Sequence, residues 1–297
     1  MKVLITGIKG QLGNALLNSL PQNIDLIKTN RENFNLNNHE KCKKFLEELD
    51  PDWVINCAAY TNVDQAEKNP EKAYSTNAIG PSVIAEALSK GRGKLIQIST
   101  DYVFDGNENS PYKTSHKKKP LGVYGASKSL GEDNVLRFLK NDKKVIVLRT
   151  SWLMGNVGRN FALTILKLLK EGRDISVIYD QIGSPTTTDS LASACWAIIK
   201  SKELFNSFNF KDPIMHWADG GIASWYDIAV SIQDLALELN LLNEFRDIKP
   251  IKAKDYKNTL AARPNFSVLD CDETYQILDL KRKHWRSNIK NLLQNIY

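Results

Sequence analysis

Tyr124 and Lys128 stand four residues apart in the run Val123-Tyr124-Gly125-Ala126-Ser127-Lys128. On a helix that spacing puts both side chains on one face, one turn apart. A free phenol titrates near ~10, so it is a poor proton donor or acceptor at neutral pH. An ammonium beside it stabilises the phenolate and is expected to pull its pKa down. A phenol tuned in this way acts as general acid to a carbonyl oxygen or as general base to an alcohol. Thr100 adds a hydroxyl that could bind the same substrate oxygen and share the charge it develops. A strand-end threonine also caps turns; the company of Tyr124 and Lys128 favours the chemical role.

Those three residues need a partner reagent, and the N-terminus points to one. The chain opens Met1-Lys2-Val3-Leu4-Ile5-Thr6-Gly7-Ile8-Lys9-Gly10-Gln11-Leu12-Gly13. Residues 2–6 are an apolar run without helical period, as in a buried parallel strand. Gly7, Gly10 and Gly13 follow at a spacing of three, and then an apolar helical pattern of Leu12, Leu16, Leu17 and Leu20. Gly7 suits a tight turn, Gly10 lets backbone approach a pyrophosphate, and Gly13 lets the helix pack close to the strand. The helix N-terminus then offers free N–H groups to phosphates. The expectation is a dinucleotide site.

The end of the second strand bears on which dinucleotide. A carboxylate there would bind the 2′-hydroxyl of NAD and repel a 2′-phosphate. The segment reads Lys28-Thr29-Asn30-Arg31-Glu32, with Asn30 at the usual carboxylate position and Arg31 placed to meet a phosphate. NADPH is therefore expected over NADH. Glu32 keeps NADH in play, because a shift of two residues would bring its carboxylate to the ribose.

Apolar strand-like runs at 24–29, 52–57, 94–99 and 144–149 alternate with helical patterns around 38–49, 71–90 and 125–140. Such alternation implies right-handed βαβ units and a doubly wound parallel sheet, an α/β Rossmann architecture. Ligands of these sheets sit at the carboxyl ends of the strands, where the glycine turn, Ala58–Thr61, Ser99–Tyr102 and Arg149–Trp152 all fall. A smaller C-terminal α/β lobe is expected from about Trp152. It holds a helix over 161–170, a strand over 174–179, a helix over 225–240 and a basic amphipathic helix over 281–296. A helix near 187–200, capped by Thr188 or Asp189, should return to the first lobe. The division is thus 1–151 for the dinucleotide lobe, with a return segment of about 187–224, and 152–297 for the substrate lobe.

The chain has 297 residues, 42% apolar and 25% charged, which is ordinary for a globular protein of this size. No stretch approaches the ~20 apolar residues of a membrane span. The first strand begins at once, without a signal peptide, so the expected location is cytoplasmic. The net charge of +6 is scattered, and Lys117-Lys118-Lys119 reads as a solvated loop, so no nucleic-acid partner is expected. Cys42, Cys57, Cys195 and Cys271 form no C-x-x-C pair, and the four histidines show no metal-ligand spacing. No metal and no disulfide framework are expected.

With these residues in view, the chain resembles the dTDP-4-dehydrorhamnose reductase family of extended short-chain dehydrogenases/reductases. The resemblance rests on phrases that run almost the whole length of the chain. In the first half they are Thr6-Gly7-x-x-Gly10-x-x-Gly13, Ala58-Ala59-Tyr60-Thr61-Asn62-Val63-Asp64-Gln65-Ala66-Glu67, Ser99-Thr100-Asp101-Tyr102-Val103-Phe104-Asp105-Gly106 and Tyr124-Gly125-x-x-Lys128. Later come Arg149-Thr150-Ser151-Trp152, Asn160-Phe161, Asp180-Gln181-x-Gly183-Ser184-Pro185-Thr186 and Arg263-Pro264-x-x-Ser267-x-Leu269-Asp270. The glycine and Tyr-x-x-x-Lys phrases are common to the superfamily; the others are more specific.

The resemblance implies a Thr100/Tyr124/Lys128 triad. Tyr124 would protonate the C4 carbonyl oxygen of a 4-keto-6-deoxy nucleotide sugar, and Lys128 would bind the nicotinamide ribose. It implies cofactor contacts from Gly7, Lys9, Gly10, Gln11, Leu12, Gly13, Asn30, Arg31, Cys57, Ala58, Ala59, Tyr60, Asn77 and Ser99. Thr61, Val63, Asp101, Tyr102 and Trp152 would line the sugar pocket, with Asn160, Gln181 and Arg263 at the nucleotide end. The lesser alternatives are that Trp152 is core and Arg263 a surface arginine before a proline. A dimer is usual for related enzymes, though no sequence feature marks an interface. Two alternatives compete. One is a related nucleotide-sugar ketoreductase, epimerase or dehydratase, although dehydratases follow the catalytic threonine with Asp-Glu and this chain has Asp101-Tyr102. The other is a non-catalytic NADP-binding regulatory subunit like the β subunit of methionine adenosyltransferase.

Overall fold

The computed structural model describes residues 1–201, 204, 213–256 and 259–296. Residues 202–203 and 205–212 of the expected return segment, and the last residue of the second lobe, lie outside the described residues. The strands are β1 (Lys2–Thr6), β2 (Asp25–Lys28), β3 (Trp53–Asn56), β4 (Lys94–Thr100), β5 (Val145–Thr150), β6 (Leu153–Met154), β7 (Ile175–Ile178), β8 (Ile182–Gly183), β9 (Thr186–Thr187), β10 (Ile214–Trp217), β11 (Ala223–Ser224) and β12 (Ile248–Ile251). The helices are α1 (Gln11–Asn18), α2 (His39–Leu49), α3 (Val63–Lys68), α4 (Pro70–Tyr74), α5 (Gly80–Lys90), α6 (Val123–Leu139), α7 (Phe161–Lys170), α8 (Thr188–Lys200), α9 (Trp225–Glu238), α10 (Asp272–Leu278) and α11 (Trp285–Gln294).

Six strands form one sheet in the order β10-β5-β4-β3-β1-β2, with every neighbouring pair parallel. Alternate residues face opposite sides, as the two-residue period of a strand requires. Val3, Ile5, Ile55, Ile96, Ile146 and Leu148 join α1 and α8 in one apolar cluster. Leu4, Val54, Leu95, Val145 and Val147 join α2, α5 and α6 in the other. Both faces are covered, so the strands read as unbroken apolar runs. From β1 the chain steps to β2 on one side, then to β3 on the other. The carboxyl ends of β1 and β3 therefore flank the crevice where doubly wound sheets bind ligands.

A third cluster lies apart from the sheet. It is built from α7, α9, α11 and the parallel β7–β12 pair. Leu269, Cys271, Tyr275 and Leu278, late in the chain, pack instead with the α1–α8 side of the sheet.

Caps explain several boundaries. Asn38, Asn62 and Asn160 each accept a backbone N–H at the start of α2, α3 and α7, and Ser224 and Asp227 form a capping box on α9. The expected helix over 71–90 is interrupted by a π-turn at Ser75–Ile79 between α4 and α5. The N-cap of α8 is Thr187 rather than Thr188 or Asp189. Its hydroxyl and N–H both donate to Asp219 Oδ2, each at 3.1 Å. Strands β10 and β12 and helices α3 and α10 lie outside the sequence expectations. Among the described residues no helix is long and apolar enough to cross a membrane, and no group of three or more His, Cys, Asp or Glu side chains could hold a metal.

Candidate active site

The glycine turn is locked to the loop after β3. Gly7 has φ of +67°, and a Cβ there would stand 3.1 Å from the Ala58 backbone; a Cβ on Gly13 would stand 2.5 Å from the Gly7 carbonyl oxygen. Only glycine permits both approaches. Beneath the turn, Thr6 Oγ1 donates to Asn56 Oδ1 at 2.7 Å and accepts from Ala58 N at 3.0 Å. Asn56 Nδ2 in turn donates to Gln97 Oε1 at 2.8 Å. This row of side chains ties the ends of β1 and β3 to the middle of β4. Gly10, the N-cap of α1, brings no side chain to the first helical N–H groups, which leaves them free for an anion.

Thr100 ends β4, while Tyr124 and Lys128 occupy the first two turns of α6. Thr100 Oγ1 donates to Asp101 Oδ1 at 3.0 Å and accepts from Tyr102 N at 3.2 Å. Burial raises the Tyr124 phenol above the ordinary tyrosine range, opposed by its hydrogen bonding with Thr100. The expected lowering by Lys128 is thus corrected. Desolvation dominates the phenol, and Lys128 Nζ turns to the Ile98 carbonyl at 2.6 Å. Burial lowers Lys128 itself to about 8, against the attraction of Glu132. It also raises Asp101 to about 6, against hydrogen bonds from Ser267 and Thr100. Tyr102 rises to about 12, chiefly by burial, and its ring meets Tyr124 edge-on at 5.6 Å.

One turn beyond Lys128, Glu132 is fully buried and fully partnered. Arg149 of β5 reaches it with Nε at 2.9 Å and Nη2 at 2.8 Å, and Ser99 Oγ donates at 2.5 Å. Lys118 Nζ lies 3.4 Å from its other oxygen. These cations and hydrogen bonds hold the Glu132 carboxyl below the usual range despite burial.

The phrase Thr61–Glu67 works as a bracket. Asp64 Oδ1 accepts from Leu260 N and Ala261 N, and Asp64 Oδ2 receives Arg263 Nη2 at 2.9 Å. Glu67 Oε1 accepts from Val123 N at 2.8 Å, supplying α6 with the cap that Gly122 lacks. On the π-turn, Asn77 holds the Tyr60 backbone at both its N–H and its carbonyl, and donates to Ser127 Oγ at 3.0 Å.

A cavity of about 1080 Å³ opens over the carboxyl ends of the strands. Every site residue expected from the sequence lines it except Tyr60, Asn77, Gln181 and Arg263. Asn77 spends its amide on the Tyr60 backbone, Arg263 gives Nη2 to Asp64 and leaves Nη1 buried without a hydrogen-bond partner, and Gln181 is buried beside β8. The cavity also exposes residues that sequence reasoning missed, among them Trp225, Phe161, Arg159 and Lys72. Trp152 stacks on Trp225 with ring centres 3.7 Å apart and planes at 8°, and Phe161 lies 4.7 Å from Trp225. Trp152 adopts φ of +46°, a conformation that costs a bulky residue roughly 1–3 kcal/mol and is typical of functional sites. No local sequence signal marked Trp225, whose helical periodicity reads as core.

A family model described as the RmlD substrate binding domain matches residues 1–297. The chain is 36% identical to dTDP-4-dehydrorhamnose reductase of Aggregatibacter actinomycetemcomitans, over 98% of each chain. It is also 36% identical to the spore coat polysaccharide biosynthesis protein SpsK of Bacillus subtilis, over 99% of this chain and 97% of that one. The crystal structure of dTDP-4-dehydrorhamnose reductase from Bacillus anthracis in complex with NADP superposes with a TM-score of 0.86 at 33% identity, covering 99% of this chain and 97% of the other.

Proposed function

The chain belongs to the dTDP-4-dehydrorhamnose reductase family, and on that footing we propose that it is an enzyme that reduces the C4 keto group of dTDP-4-dehydrorhamnose to the alcohol of dTDP-L-rhamnose with NADPH. The observation that carries the reading is the convergence of Thr100, Tyr124 and Lys128 in one cavity with the glycine turn and the aromatic wall. The glycine cradle and the free N-terminus of α1 fit a dinucleotide's pyrophosphate. NADPH, when bound, supplies the hydride. Tyr124 is the general acid. A buried phenol with a raised pKa keeps its proton at neutral pH and gives it up only as charge develops on the substrate oxygen. Thr100 shares that charge. Lys128, which lines the same cavity, would hold the nicotinamide ribose.

Thr61, Val63, Asp101, Tyr102 and Trp152 form the substrate side of the cavity, while Asn160, Gln181 and Arg263 act by supporting it. Asn30 and Arg31 select NADPH, with NADH the weaker cofactor. The sheet with its return helix α8 forms the cofactor lobe, and the α7–α9–α11 cluster belongs to the substrate lobe. We place the enzyme in the cytoplasm as a homodimer; the four free cysteines suit a reducing compartment.

The test is NADPH consumption with dTDP-4-dehydrorhamnose, run in parallel with NADH, alongside light scattering for the assembly. Oxidation that depends on the sugar and is faster with NADPH is the expected result. Tight binding of both ligands without turnover would favour the regulatory-subunit alternative.

A further inference from the structure

The second lobe reaches back over the glycine turn through one amide. Gln11, the first residue of α1, accepts with Oε1 from Gly155 N at 3.0 Å and from Asn160 Nδ2 at 2.9 Å. Asn160 Nδ2 also donates to the Gly155 carbonyl at 2.7 Å, and its Oδ1 caps α7 through Leu163 N at 3.0 Å. The turn 155–160 is therefore closed on itself and hooked to the helix that begins at the glycine cradle. Gly158 has φ of +76°, and a Cβ there would stand 3.3 Å from Gln11 Cγ, so the turn lies directly against that side chain. Arg159 follows. It is exposed, lines the same cavity as Gly7, Lys9 and Gly10, and has no ion-pair partner among the described residues. By contrast, Lys9 at the same mouth is 3.1 Å from Glu32.

We propose that Arg159 is a diphosphate-binding residue that the substrate lobe contributes to the cofactor site, with the Gln11–Asn160 hook as the device that positions it. A guanidinium matches two phosphate oxygens in one plane, which a lone ammonium does not. Arg159 lines the cavity together with Gly7, Lys9 and Gly10, so a pyrophosphate there would meet both the free N–H groups of α1 and this cation. The inference rests on the cofactor assignment made above. The nucleotide sugar also carries a diphosphate, and the test must tell the two apart.

Dissociation constants for NADPH and NADH, read by cofactor fluorescence, and for dTDP, read by calorimetry, are compared for the native chain, Arg159→Gln and Gln11→Ala. Arg159→Gln should weaken NADPH and NADH alike, by about tenfold, and leave dTDP unchanged. Gln11→Ala should give a smaller loss in the same direction and add little in the double variant. A loss confined to dTDP would move Arg159 to the nucleotide sugar. A loss for NADPH alone would move it to the 2′-phosphate, and unchanged affinities would leave it no role; each of these overturns the proposal. A native chain that binds no NADPH would instead overturn the cofactor assignment itself.

Discussion

Three successive turns of α6 carry ionisable side chains away from water, and they behave in opposite ways. At Glu132 the carboxylate is met by Arg149, Ser99 and Lys118, so it stays ionised in the interior. One and two turns earlier, Lys128 and Tyr124 are pushed toward their neutral forms, and the hydrogen bond of Lys128 goes to a neutral carbonyl. Burial disfavours the charged form of all three; partners decide the outcome. The satisfied turn anchors the helix to β4 and β5. The unsatisfied turns keep a proton and a cation available at the cavity, where a ligand can complete them.

Removing an anchor should cost the most. Arg149→Met leaves Glu132 buried without its main cation, and urea unfolding should show a loss of about 4 kcal/mol. If stability barely changes, the anchor half of the contrast fails. Tyr124→Phe should leave the fold and NADPH affinity near those of the native chain and lower turnover by about a hundredfold or more. Substantial residual turnover would remove the phenol from its role. Lys128→Arg tests the titration. Burial favours the neutral amine, so the lysine's charge is lost as pH rises through about 8, and kcat/KM should fall there. Arginine should keep its charge, abolish that alkaline fall and cost about tenfold in rate; an unmoved alkaline limb would assign the fall to another group. Smallest of all, Glu67→Ala removes the cap at Val123 and should cost about 1 kcal/mol of stability, with kcat affected more than NADPH affinity.

The chemistry was more legible than the supports. The glycine turn and the Tyr124/Lys128 pair are local in sequence, so spacing alone sets their geometry, and they line the cavity as expected. The direction of the Tyr124 shift was not legible, because desolvation depends on what packs over the phenol from distant segments. Arg263 was placed at the nucleotide end of the substrate, since nothing near it in the chain reveals that Asp64 holds it. Asn77 was read as a cofactor contact, but the π-turn rotates its amide onto the Tyr60 backbone. The sheet was legible through β5. The sixth strand was not, because His216 and the short run Ile214–Trp217 give no clear period, and only pairing with β5 makes it a strand.

The stacked indoles of Trp152 and Trp225 carry a further consequence. Two chromophores stacked 3.7 Å apart with nearly parallel planes share their excited states, so their absorption and near-ultraviolet circular dichroism differ from those of two separate tryptophans. One wall of the cavity is thus an intrinsic optical reporter. A molecule that slides against it, or a shift of Trp152 out of its left-handed backbone, changes that signal without any label.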